Sequence, residues 1–170
     1  TKKTTSQLEA LKQVPGIEFI EFDSDLVLDE DRFREEVERV IRQEEELLGR
    51  GVTVAVYTKR KLLSLDNDSP EAALVRSVKI SDAVQSLVGR LKVAPAFVMA
   101  KGGITSSDVG TKALQVKKAT VLGQIRPGIP VWKTGEESRF PGIPYIIFPG
   151  NVGEADTLKE AVGILMGGLQ

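Results

Sequence analysis

The chain has no cysteine and no histidine among its 170 residues. Without cysteine there is no disulfide, no thiolate nucleophile and no cysteine zinc site. Without histidine, Ser-His-Asp and Cys-His catalysis are excluded, and so is the commonest transition-metal ligand. No apolar run approaches the roughly 20 residues that span a bilayer. The opening Thr1-Lys2-Lys3-Thr4-Thr5 lacks the apolar segment of a signal peptide. A cytoplasmic protein with no membrane partner is therefore expected. Surplus positive charge is also lacking: 23 Lys and Arg against 24 Asp and Glu leave a formal net charge of -1. That balance argues against a nucleic-acid surface, whose affinity comes mainly from cations neutralising phosphates. What remains is carboxylate, lysine, tyrosine, backbone N–H and hard-cation chemistry. Phosphoryl transfer can run on that set, because its catalysis is mostly positioning and charge stabilisation.

The length fits one domain, residues 1–170. Residues 6–14 read as a short helix stopped by Pro15-Gly16, followed by a strand over 17–22 and an Asp-rich turn. Asp29 is placed to cap a helix carrying Phe33, Val37, Val40, Ile41 and Leu48 at helical spacing. Within it, Glu44-Glu45-Glu46 reads as an exposed face. Residues 52–57 form an apolar strand whose composition suits burial on both faces. Ser69-Pro70 opens a long helix, with Leu74, Val75, Val78, Val84, Leu87, Val88 and Leu91 expected on its inner face. A strand ending at Ala100 and a helix through Val109, Ala113 and Leu114 come next. Residues 119–125 and 131–133, joined by Arg126-Pro127-Gly128, read as a hairpin in which Trp132 packs. A strand over 143–148 and a helix with Leu158, Ala161, Val162 and Leu165 follow. This order predicts an α/β fold: a layered α/β/α domain with a mixed, mainly parallel sheet and a late β-hairpin.

Two glycine loops stand out, each after an apolar strand and before a helix. The first is Lys101-Gly102-Gly103-Ile104-Thr105-Ser106-Ser107-Asp108; the second is Phe148-Pro149-Gly150-Asn151-Val152-Gly153. Glycine lets the backbone approach a phosphate with no Cβ in the way, and helix starts carry unpaired N–H groups. The same glycines also suit plain chain reversal, and the hydroxyls of Thr105, Ser106 and Ser107 suit helix capping as well as phosphate contact. Lys101 suits a phosphate partner or an exposed strand end. Asp108 suits either a phosphate-bound Mg2+ or simple complementarity to the helix dipole. At the second loop the acidic Glu154 and Asp156 shift expected ligand contact towards Gly150 and Asn151, away from Gly153. Neither loop matches G-x-x-x-x-G-K-[ST] or G-x-G-x-x-G, so Walker-type and dinucleotide readings find no support. Asp23, Asp25, Asp29, Glu30 and Asp31 lack the spacing of a Ca2+ loop, and no metal ligand set is assigned.

Three ordered segments, Gly102-Gly103-Ile104-Thr105-Ser106, Gly123-Gln124-Ile125-Arg126-Pro127-Gly128-Ile129-Pro130 and Pro149-Gly150-Asn151-Val152-Gly153, together resemble the four-carbon acid sugar kinase family. The likeness is to its C-terminal, nucleotide-binding domain. Lys3-Thr4-Thr5-Ser6-Gln7-Leu8 resembles that domain's first helix, which extends the likeness over essentially the whole chain. The resemblance implies an ATP-dependent sugar-acid kinase acting on tetronate-like or threonate-like acids. This chain would be the ATP-binding half, with Mg2+ bridging the phosphate oxygens. The sugar acid and the catalytic residues would belong to a separate N-terminal domain, so the catalytic residues are unassigned here. Gly102, Gly103, Ile104, Thr105, Ser106, Gly150 and Asn151 would be the cofactor-binding residues. Three departures stand against the family pattern. Ile104 replaces an acidic residue, Phe148-Pro149 replaces Lys-Ser, and a Gly-Ser strand before the first helix has no counterpart, implying an unpaired place in the sheet. A non-catalytic module sensing a sugar phosphate or nucleotide is the alternative, and homo-oligomer formation is left open.

Overall fold

The structure, a computed structural model, describes residues 1–168. Its elements run α1 (Lys2–Leu11), β1 (Ile17–Phe22), a 3-10 turn (Ser24–Leu28), α2 (Glu30–Gly49), β2 (Thr53–Thr58) and α3 (Pro70–Gly89). Then come β3 (Val98–Lys101), α4 (Gly103–Asp108) with a wider helical turn (Val109–Ala113), β4 (Ala119–Arg126), β5 (Ile129–Thr134), β6 (Pro144–Phe148) and α5 (Thr157–Gly163). A second wide turn, Ile164–Gly168, follows α5. The helix caps are those the sequence predicts. Asp29 accepts from the Arg32 N–H and Ser69 from the Ala72 N–H, with Pro70 in the first turn of α3. The late hairpin also forms, β4 pairing antiparallel with β5.

The fold is α/β as expected, but the strands divide into two sheets. One is the parallel pair β1-β2; the other has four strands in the order β3-β6-β5-β4. Side-chain packing continues the layer where the hydrogen-bond ladder does not. Phe19 and Ala55 of the first sheet share a core with Met99, Ile146 and Phe148 of the second, and this core lies against Leu11 of α1 and Leu158 and Val162 of α5. Strand alternation sends Val98, Ala100 and Tyr145 to the opposite face, against Leu91, Val109, Ala113 and Leu114. On the first sheet Ile20 and Phe22 meet Val37, Val40 and Ile41 of α2 and Ala83 and Leu87 of α3. Helices thus cover both sides of the strands.

Three local expectations are corrected. Leu74, Val75 and Val78 are exposed rather than inward-facing, and in α3 only Ala83 and Leu87 are buried. A 20-residue helix is about 30 Å long whereas a six-residue strand spans about 20 Å, so the first half of α3 overshoots the sheet. Second, β2 is half-buried along its whole length rather than fully buried.

The third correction concerns the glutamate run. Glu45 and Glu46 are at least partly exposed, but Glu44 turns inward beside Val40 and Ile41 and keeps only 5% of its surface. Glu36, one face-repeat earlier, is also buried, yet its carboxylate accepts from the Asp23 N–H at 2.7 Å and pairs with Arg39. Burial pushes the Glu36 pKa up, but Arg39 and the Asp23 N–H outweigh it and hold the group below the usual range. Glu44 has no such help: its Oε1 lacks a partner, and burial, then the Glu45 charge, push its pKa up to about 8. The folded state therefore holds this proton more tightly than the unfolded chain does. Stability contributed by protonated Glu44 is intact below the unfolded value near 4.5 and is lost progressively as pH rises towards about 8. In urea unfolding at pH 5 and pH 8.5, Glu44→Gln is expected to lose less stability across that interval than the parent. Equal losses in both proteins would show that Glu44 is not the group responsible.

Candidate nucleotide-binding site

The site is set by one parallel pairing. β3 and β6 lie side by side in register, with Lys101 opposite Phe148, so both strands end at the same level. The two glycine loops therefore leave the sheet as neighbours. The Gly102 N–H donates to the Phe148 carbonyl at 2.9 Å, and a Cβ on Gly150 would stand 4.0 Å from the Gly102 Cα. Gly102 has a φ of +105°, which a side chain would strain, and there the chain swings from strand into helix. This is the carboxyl end of parallel strands, where open α/β sheets take their ligands.

The residues singled out from sequence divide by environment. Gly103 and Ile104 are exposed, and no atom lies within 4 Å of where a Gly103 Cβ would be. Thr105 is half-buried, its hydroxyl facing Gly102, and Asn151 is exposed beside half-buried Gly150. Ser106 is buried: its hydroxyl donates to the Ala100 carbonyl at 3.0 Å, and its own carbonyl accepts from the Tyr145 hydroxyl. The Ser106 side chain thus braces the loop from behind. Asp108 pairs with Lys112 at 3.7 Å, one turn along the same helical stretch. Gly153 serves the turn itself, since a Cβ there would lie 2.6 Å from Thr157, whose hydroxyl accepts from the Glu154 N–H.

The second loop is held largely by residues that spacing could not reveal. Gln7 of α1 is fully buried and donates to the carbonyls of Val152 at 3.2 Å and Glu154 at 3.0 Å. The Lys3 ammonium reaches the Asn151 carbonyl at 3.3 Å, and Lys101 reaches that of Gly150 at 3.2 Å. The middle motif contributes too, for a Cβ on Gly128 would sit 3.4 Å from Val152, and Arg126 pairs with Glu160 of α5 at 3.1 Å. All three glycine-bearing segments thus meet around one loop.

Charge follows the same convergence. Arg60, in the link after β2, donates to the Thr5 hydroxyl at 3.3 Å and stands near Lys101 together with Lys3. Burial lowers the Lys101 pKa, and the positive charges of Arg60 and Lys3 lower it further. Among the described residues none of these three cations has an ion-pair partner. No group of three acidic side chains converges as a metal cage among them either. The shallow hollow lined by Glu18, Phe19, Ile20, Gln43, Glu46 and Leu47 lies away from these loops, and its two glutamates do not suit an anion.

The sequence profile of the nucleotide-binding C-terminal domain family matches residues 1–158. The chain belongs to that family. The resemblance to four-carbon acid sugar kinases, read from the glycine segments, agrees with it. A Bordetella bronchiseptica protein of the DUF1537 family, solved as a domain-swapped dimer with bound citrate, is 22% identical, covering 94% of this chain and 37% of that one at a TM-score of 0.67. A Haemophilus influenzae DUF1537 protein is 20% identical over 95% of this chain and 37% of its own, with a TM-score of 0.68. A Salmonella typhimurium protein, provisionally described as a tRNA synthase, is 18% identical over 95% and 38%, also at 0.68. These likenesses establish a shared fold, and this chain spans little more than a third of each solved protein. No curated protein matches the chain. No described helix is long and apolar enough to cross a membrane.

The α1 brace makes a direct prediction. Gln7→Leu keeps the bulk but leaves the Val152 and Glu154 carbonyls without their donor. Losing the two hydrogen bonds costs about 0.5–1.5 kcal/mol each, offset in part because the buried Gln7 Oε1, which has no partner, is removed with them. Urea unfolding should show a loss of that order, and amide exchange across residues 150–154 should speed up more than in β3. Unchanged exchange in the loop would mean that Gln7 does not hold it.

Proposed function

We propose that this domain binds ATP across the two glycine loops. The longer protein to which it belongs would then be a kinase that phosphorylates small four-carbon sugar acids of the tetronate or threonate kind. The observation that carries the reading is the in-register ending of β3 and β6, which sets Gly102-Gly103 beside Gly150-Asn151. Family membership supplies the nucleotide; the glycines supply a backbone surface that phosphates can approach closely. In this reading Gly102, Gly103, Ile104, Thr105, Gly150 and Asn151 face the nucleotide, while Ser106 contributes through its backbone and its hold on Ala100.

The division of labour follows from the chemistry. Phosphoryl transfer needs a fixed donor, charge stabilisation on the moving phosphoryl group and a positioned acceptor hydroxyl. This domain offers the first two. The acceptor and its base belong, in this proposal, to the rest of the protein. Mg2+ does not fit a cage built by this domain alone, because Asp108 is paired with Lys112 and the side chains over the loops are cationic. No step is assigned to a metal held here.

Calorimetric titration with ATP tests the site, comparing the parent with a Gly103→Val, Gly150→Val double variant. Open space surrounds a Gly103 Cβ, and a Gly150 Cβ meets Gly102 only at ordinary contact distance, so the double variant is expected to stay folded. Its two isopropyl groups would occupy the surface the phosphates need, and ATP affinity should fall at least tenfold. Unchanged affinity would remove the nucleotide from these loops. On the full-length protein, ATP-dependent phosphorylation of a four-carbon sugar acid is the expected activity, and its absence across such acids would overturn the kinase reading.

A further inference from the structure

We propose that Lys3, Arg60 and Lys101 act together as a cationic clamp for the polyphosphate chain of the ligand, so that binding at the glycine loops is selected by phosphate charge. The inference rests on the nucleotide reading for the identity of the ligand, but the clamp is argued from its own geometry. The three residues come from α1, from the link after β2 and from the end of β3, positions that only the folded chain brings together. Each head group is steadied by a neutral acceptor: the Asn151 carbonyl for Lys3, the Thr5 hydroxyl for Arg60 and the Gly150 carbonyl for Lys101. Lys101 also lies 4.8 Å from the centre of the Phe148 ring, which holds its stem over the sheet end.

Eight cations elsewhere in the described residues pair with carboxylates, while others stand unpaired like these three. Arg39 has Glu36, Arg76 has Asp68, Arg90 has Glu38, Arg126 has Glu160 and Lys59 has Asp25. Half-burial of Lys101, then repulsion from Arg60 and Lys3, disfavours its charged ammonium. An anion entering between the loops relieves that repulsion and gains charge-assisted hydrogen bonds. Cations arriving from three elements suit a chain of phosphates better than one compact anion. Arg60 offers the planar fork suited to phosphate oxygens, while the lysines act as point charges.

Arg60 is the informative position, since its side chain bonds to Thr5 and to neither loop, so its removal leaves the carbonyl braces in place. ATP and inorganic tripolyphosphate would each be titrated into the protein and into Arg60→Gln, Arg60→Lys and Lys3→Gln, with thermal unfolding confirming that each variant is folded. A charge-assisted hydrogen bond contributes roughly tenfold or more to affinity. Arg60→Gln should therefore weaken both ligands about tenfold, and Arg60→Lys should recover part of the loss. The dependence of log Kd on log salt should become shallower in Arg60→Gln and Lys3→Gln, a change that loosened packing would not produce. Tripolyphosphate binding that falls in the variants, with ATP binding no tighter than tripolyphosphate, would support the clamp while overturning the nucleotide reading. ATP binding that is indifferent to all three variants would overturn the clamp and leave the nucleotide reading standing. Failure of tripolyphosphate to bind the parent protein would also overturn the clamp.

Discussion

The parallel register of β3 against β6 is the constraint on which the rest depends. Placing Lys101 opposite Phe148 ends two strands at one level, and the Gly102 N–H to Phe148 carbonyl bond extends that match into the loop. A slip of one residue would reverse the faces of Met99 and Ala100 and move hydrophobic side chains between the two cores. The fully buried Ile146 and Phe148 on one face and Tyr145 on the other make such a slip costly. Core packing thus fixes the position of a surface site. The buried apolar faces determine where Gly102 and Gly150 stand, although neither glycine contributes a side chain to the core.

Polar burial in this fold has two outcomes. Where a buried polar group has partners, it fixes geometry: Glu36 ties α2 to Asp23 after β1, Ser106 ties α4 to β3, and Gln7 ties α1 to the second loop. Where partners are lacking, the group holds a proton or retains unbalanced charge. Glu44 does the first on the α2 face, and at the sheet end half-buried Arg60 and Lys101, with exposed Lys3 near Lys101, do the second. Desolvation disfavours the charged form of Glu44. The cations differ in being only partly covered, so an anion from solution can balance them.

Sequence patterning showed most of the elements, and the reasons are local. Asp29 and Ser69 announced their helices because capping is a short-range hydrogen bond, and the β4–β5 hairpin was visible because its turn lies within a few residues. Apolar spacing served less well where the partner surface ran out: Leu74, Val75 and Val78 keep helical spacing but extend past the sheet. Glu44 was unreadable for the opposite reason, an ionisable residue standing at an inward position of α2 within an acidic run. The glycine loops were legible as backbone features. Their adjacency was not, since strand order depends on tertiary pairing. Lys3 and Gln7 entered only as part of a helix resemblance, with no hint that they reach the second loop, and Arg60 gave no signal, for each is an ordinary polar residue on its own element.

The role of α1 explains why the site cannot be reduced to its two glycine segments. Gln7 holds the carbonyls of residues 152 and 154, and Lys3 holds that of residue 151, so the second loop is shaped by side chains from the opposite end of the chain. α1 can do this because it packs beside α5 on the same face of the sheet, with Leu11 against Leu158 and Val162. The apolar face of α1 brings its polar residues to the loop. A glycine turn alone is a flexible backbone with many conformations, and ordering it costs free energy. Here that cost is offset before any ligand arrives, by a buried amide and two ammonium groups that fix the loop's carbonyls. Held in this way, two short, common turns form one preorganised surface.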